Sequence, residues 1–308
     1  MNAVRLQTEL KEAFDAPEPP ALSIISDSAP VPVLAPAPGE IDEILAAHGR
    51  LSVDAAARIK ERAARLGEDF AIAARKLKLL TPADLAIARA IRDGVLQDAP
   101  SAFKLGAELV ILHRPNSVAS EQYRSLAARL LTMQSPERLK GISIIPAGAA
   151  VSADVAAANA AVAFAQLGKR VLLIDGDLRR PRLAKLFSAG PGAPERLADA
   201  ASMEDALRET VVRGMSLLAG QAPTPRPEEF LASSRFSAMT AAARAEFDIV
   251  LALSAPFGPT AEGQFIWAET KSALVVARRD QTRADELRRL QSTLRQIGAE
   301  ILGAALVA

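Results

Sequence analysis

The sequence predicts a doubly wound, mainly parallel α/β sheet, preceded by a small helical module and a disordered N-terminal linker. Three observations carry this expectation. Short apolar runs recur at 142–145, 171–174, 215–218, 249–253, 273–277 and 301–307. Helical patterns fill the intervals, at 153–167, 203–211, 235–245 and 283–297. Apart from Ser143 and Ser216 the runs are apolar and do not alternate strictly, as expected of strands with helices on both faces.

Residues 1–40 form the first zone. Leu6, Leu10 and Phe14 lie at i, i+4, i+8, the spacing of a short amphipathic helix. Pro17, Pro19, Pro20, Pro30, Pro32, Pro36 and Pro38 follow, a density that forbids helix and favours an extended linker. Residues 41–98 read as short helices. Ser52 is placed to cap a helix carrying Ala55, Ile59 and Ala63. Thr81-Pro82-Ala83-Asp84 is a stronger start signal, with Leu85, Ala88 and Ile91 as the buried stripe behind it. This module carries no chemistry of its own. The α/β domain is expected over 99–308. Its last helix should open on a Thr282/Asp285 capping box, bury Leu287, Leu290, Leu294 and Ile297, and end at Gly298.

Composition excludes several function classes. The chain has 308 residues with 37 Lys+Arg against 36 Asp+Glu, a net charge of +1. Nucleic acid is therefore not an expected partner. There is no cysteine, which removes disulfides, thiolate catalysis and cysteine zinc sites. His48 and His113, the two histidines, are 65 residues apart, so no histidine metal site or catalytic triad is expected. The N-terminus has no apolar signal core, and the apolar stretch 142–167 is interrupted by Ser152, Asp154 and Asn159. The chain reads as soluble and cytoplasmic.

In a doubly wound sheet ligands bind at the carboxyl ends of the strands, here 146–154, 175–182 and 254–258. The most informative of these is Asp175-Gly176-Asp177-Leu178-Arg179-Arg180-Pro181-Arg182. Side chains two apart on a strand project to one side, so Asp175 and Asp177 form a carboxylate pair of the kind that holds Mg²⁺ or a metal-bound water. Taken alone, these residues favour a capped strand end with solvated arginines over a metal site.

The string VLLIDGDLRRPRLAKLF (171–187) resembles the second nucleotide motif of bacterial tyrosine kinases, the P-loop kinase domains that work with polysaccharide co-polymerases in capsule and exopolysaccharide export. The similarity extends through Asn159, Ala165 to Arg170, Leu217 to Gly220, Pro225 to Leu231 and Phe247 to Val250. Glu121-Gln122-Tyr123-Arg124 resembles the start of the family's E-x-x-R-x-x-R assembly helix, and 42–91 its helical N-terminal module. The resemblance implies a P-loop NTPase type of sheet. It also implies a role for Asp175, Asp177 and Arg179 in triphosphate binding, and oligomerisation through Glu121 and Arg124.

Departures from the family pattern redirect the function. Where the family loop ends G-K-S-T, this chain has Ser152-Ala153-Asp154-Val155. The phosphate-neutralising lysine is thus Ala153, and the Mg²⁺-holding hydroxyl is replaced by Asp154. An uncompensated carboxylate about 4 Å from a phosphate repels it by roughly 4 kcal/mol at an effective dielectric near 20. The second acidic position is Leu253, which offers a metal no oxygen. The family's tyrosine-rich tail has no counterpart: the single tyrosine, Tyr123, matches a packing position, and Ala127 stands at the last assembly arginine. Trp267 is expected in the core or at an interface.

The expectation is therefore a non-catalytic component of exopolysaccharide (capsule, holdfast or similar) synthesis and export. It has no catalytic residue, metal or cofactor, and its partner is a membrane polysaccharide co-polymerase or an active kinase paralogue, which recruits it to the inner membrane. Two alternatives stand beside it. One is a residual ATP-dependent tyrosine kinase using Asp154, Asp175 and Asp177 for Mg²⁺. The other is a cyclic-dinucleotide sensor in the helical module, where Phe70 and Gly67 remain but Asp69 and Lys78 replace the arginine and glycine of related modules.

Overall fold

The computed structural model describes residues 39–148, 151, 153–188, 194–258 and 260–307. Residues 1–38 of the arm expected over 1–40, and Ser152, lie outside the described residues.

Four helices open the structure: α1 (Ile41–Ala47), α2 (Val53–Leu66), α3 (Phe70–Lys76) and α4 (Pro82–Arg92). The expected caps are present. Ser52 accepts the Ala55 N–H (3.2 Å), and Thr81 and Asp84 form a reciprocal capping box (3.1 and 3.3 Å). Lys78 has φ 55°, a left-handed conformation that glycine adopts without cost.

A linker carrying α5 (Val110–His113) leads to the long α6 (Val118–Met133) and short α7 (Pro136–Leu139). The α/β alternation then runs β1 (Ile142–Pro146), α8 (Asp154–Gln166), β2 (Val171–Gly176), α9 (Leu183–Leu186), α10 (Met203–Ala206), β3 (Leu207–Glu209) and β4 (Met215–Leu218). It ends α11 (Pro227–Leu231), α12 (Ser234–Glu246), β5 (Ile249–Ser254), α13 (Glu262–Thr270), β6 (Ser272–Arg278), α14 (Ala284–Ile297) and β7 (Glu300–Val307). The strand order is β3-β4-β2-β5-β1-β6-β7. Every pairing is parallel except β3 with β4. All six expected strands are present.

Two expectations are corrected. The helical pattern at 203–211 is one turn of helix followed by the antiparallel edge strand β3, because Leu207 to Glu209 pair with Ser216 to Leu218. Helix α14 begins one residue later than the expected box. Thr282 accepts the Arg278 N–H (2.8 Å), and Glu286 accepts the Arg283 N–H (3.1 Å). Gly298 ends the helix at φ 72°, as expected.

Period-two alternation splits the strands between two cores. Val171, Leu173, Ile249, Leu251 and Leu253 face α8. Leu172, Ile174, Val250 and Ala252 face the side of α12, α13 and α14. Helix α8 is buried nearly all round, and its alanines let it lie close to both the sheet and α6. Helical-module residues such as Leu45, Ile59, Ile87 and Ile91 belong to the same continuous cluster as the α8 face. The junction is also hydrogen-bonded: the Gln97 N–H reaches the Val211 carbonyl (2.7 Å), and the Arg213 N–H reaches that of Val95 (3.1 Å). Among the described residues, no helix is long and apolar enough to cross a membrane.

Candidate functional site

Parallel strands β1, β2 and β5 end side by side, and their loops diverge to leave a cleft of about 220 Å³. Its walls come from the three loops singled out above: Pro146, Ala153 and Asp154; Asp177, Arg180 and Arg182; Leu253, Ser254 and Pro256. Strand register puts Asp175 opposite Leu253, so both project toward the α8 face.

The acids are not left open to a ligand. Asp154, at the first turn of α8 and 4% exposed, lies 3.0 Å from the guanidinium of Arg182. Asp175 is fully buried, and its Oδ2 accepts the N–H groups of Arg182 and Leu183, both at 3.0 Å, fixing the turn into α9. Its other oxygen, Oδ1, is buried without a hydrogen-bond partner among the described residues. Burial pushes the Asp175 carboxyl up to about 7 against the opposing effect of those two N–H groups, and the charges of Asp177 and Asp154 raise it further. Asp177 lines the cleft 3.4 Å from Arg180, and burial raises its carboxyl too.

Arg179 turns away from this group. It donates through Nε to Glu262 (2.7 Å) and through Nη2 to Glu228 (3.1 Å), and the Glu262 contact raises its pKa. Glu262 is 4% exposed at the start of α13. Sequence reading flagged neither glutamate. They lie 83 and 49 residues from Arg179, with no local signal to link them.

The described side chains of the cleft offer a magnesium nucleotide few free groups. Ala153 and Leu253 present only carbon, the Asp154 carboxylate faces Arg182, and one oxygen of Asp175 is committed to backbone.

The other expected residues are accounted for. Glu121 and Arg124 pair with each other on α6 (2.9 Å), and Arg124 also donates to the Pro115 carbonyl (2.7 Å). Ala127 is fully buried. Tyr123 packs on the core, and burial raises its hydroxyl pKa. Trp267 is 2% exposed and donates its indole N–H to Ser254 (3.1 Å). Asn159, on α8, is fully buried: it accepts the Ile111 N–H (3.1 Å) and donates to the carbonyls of Glu108 and Val155 (2.9 Å each). In the helical module Asp69 caps α3 through the Ala71 N–H (2.8 Å).

A doubly wound sheet whose strand-end cleft lies between an α8-type helix and paired acids defines a P-loop NTPase type of domain. In sequence the chain is similar to bacterial tyrosine-protein kinases. It is 24% identical over 200 residues to the putative tyrosine-protein kinase CapB of Staphylococcus aureus, covering 64% of this chain and 88% of that protein. It is 27% identical over 203 residues to the tyrosine-protein kinase YwqD of Bacillus subtilis, covering 65% and 86%. Among solved structures, the BceF tyrosine kinase domain matches at 28% identity and a TM-score of 0.56, over 64% of this chain and 81% of that one. The kinase domain of the Escherichia coli tyrosine kinase ETK shares the fold, with a TM-score of 0.59, 24% identity and coverage of 64% and 78%. No protein-family model matches the chain.

Proposed function

We propose that this chain is a non-catalytic member of the bacterial tyrosine kinase family. It acts in the cytoplasm as a regulatory or scaffold component of exopolysaccharide synthesis and export, docking to a membrane polysaccharide co-polymerase or to an active kinase paralogue. The observation that carries the reading is the Arg182–Asp154 pair. A phosphate-binding cleft needs a cation for the phosphates and oxygens for the metal. Here Arg182, which lines the cleft, faces the protein's own Asp154 carboxylate at the start of α8, so each neutralises the other. Ala153 and Leu253 supply neither charge nor oxygen. The cleft is thereby closed electrostatically while the fold around it is complete.

The residual-kinase alternative requires Asp154, Asp175 and Asp177 to share a metal, and the hydrogen bonds and ion pairs just described compete with that for each of them. The testing experiment is equilibrium binding of radiolabelled ATP with Mg²⁺ to the full chain, with phosphate release followed in parallel. Neither binding at micromolar ATP nor turnover is expected; micromolar affinity with turnover overturns the proposal. A saturating ligand raises folding stability by about 2.7 kcal/mol at a hundredfold excess over Kd, so an unchanged melting temperature in millimolar Mg·ATP is the companion expectation.

A further inference from the structure

A second concavity, of about 510 Å³, lies between α3, α4 and the residues leading into α6, away from the strand-end cleft. Its floor is apolar, formed by Ile72, Leu85 and Ala86, and Ile72 keeps 40% of its surface exposed. Its rim carries three guanidinium groups, Arg75, Arg89 and Arg114, against one carboxylate, Asp69. Asp69 already caps α3 and stands 3.8 Å from Arg89. Among the described residues, the side chains of Arg75 and Arg114 have no ion-pair partner. An apolar trough under uncompensated cations complements a ligand that is apolar along one side and acidic along the other.

The chain contains such a segment. Residues 6–18 hold Glu9, Glu12, Asp15 and Glu18 against the single Lys11, with Leu6, Leu10 and Phe14 at four-residue spacing. The point of attachment favours the same groove. The arm joins the described structure at Gly39, next to α1, and α1 packs on α4, the helix that supplies Leu85, Ala86 and Arg89 to the groove. Residues 19–38 contain six prolines and, at about 3.1 Å per residue, reach about 60 Å. Tethering at that length gives an effective concentration on the order of millimolar, enough to populate a contact too weak to form between separate molecules.

We propose that residues 6–18 dock within the same chain onto the groove lined by Ile72, Arg75, Arg89 and Arg114. Apolar side chains of the segment cover Ile72, and its carboxylates face the arginines. Because the groove shares no lining residue with the strand-end cleft, this contact is independent of whether that cleft binds ATP.

The absence of native cysteine makes disulfide trapping in the full chain clean. Ala16→Cys is paired with Asn116→Cys at the groove. In a control it is paired with Ser292→Cys on α14, which packs on the opposite side of the sheet. Under mild oxidation an intrachain disulfide is expected about tenfold faster in the groove pair than in the control. Arg75→Glu with Arg114→Glu, both exposed positions, should abolish that advantage, and Glu9→Arg with Glu12→Arg should restore it. Circular dichroism confirms that each variant is folded, and 0.5 M salt weakens the contact in the parent without any rim substitution. Equal rates for the two pairs, insensitivity to both charge reversal and salt, or a disulfide formed only between chains would each overturn the proposal.

Discussion

Asp175 shows how one buried carboxyl sets a pH dependence. One of its oxygens accepts two backbone N–H groups and the other has no hydrogen-bond partner among the described residues; burial raises its pKa from 3.8 to about 7 against the effect of those two bonds. A raised acid pKa means that the folded state keeps a proton the unfolded chain has lost. The proton is bound in both states below about pH 4, where the residue carries no penalty. Stability then falls as pH rises toward 7, by roughly 4 kcal/mol in all. Asp175→Asn removes this titration. Relative to the parent, the variant should gain a few kcal/mol in urea unfolding between pH 5 and pH 8, and parallel pH profiles would contradict the assignment. The Asp154–Arg182 pair is testable by a double-mutant cycle. Arg182→Gln takes the guanidinium away from a buried carboxylate and should cost about 2 kcal/mol, at the low end for such pairs because Arg182 is half exposed. Asp154→Asn with Arg182→Gln should cost clearly less than the two single changes added together, and strict additivity would deny the coupling.

At the scale of elements, the cleft depends on how closely β2 approaches its neighbours. Gly176 ends that strand, and a Cβ there would stand 2.3 Å from Ile266 on α13 and 2.5 Å from the Leu253 carbonyl. The first contact can yield by side-chain rotation, but the second is backbone of the adjacent strand and cannot. Gly176→Ala is therefore expected to destabilise by about 1–3 kcal/mol, measured as a shift in denaturation midpoint at constant slope. Most helices were legible from local signals: the Ser52 and Thr81 caps and the Gly298 stop act within a turn, so their partners lie within four residues. The segment 203–211 misled for the opposite reason. Its apolar spacing suits either a helix or a strand, and the choice was made by pairing with β4.

Across the whole molecule, the helical module and the α/β sheet share one hydrophobic cluster, and Asn159 stitches the linker between them to α8. Such continuity predicts a single cooperative unfolding transition for the described body. Asn159→Ala should move it as a whole, by about 2–4 kcal/mol for the loss of three hydrogen bonds made by a buried side chain. Two separated transitions in calorimetry would contradict this. The sequence by itself determined the α/β alternation, the strand-end location of the cleft, and the presence of Ala153, Asp154 and Leu253 in the segments that line it. These follow from periodicity and from the identity of side chains at fixed offsets along the chain. Only the tertiary structure decided the pairing. It brought Arg182 to Asp154, turned Arg179 to Glu262 and Glu228, and made Asp175 a buried brace for α9. Ion pairs between residues dozens of positions apart leave no period in the sequence, because what joins them is the folding of separate strands and helices into one sheet.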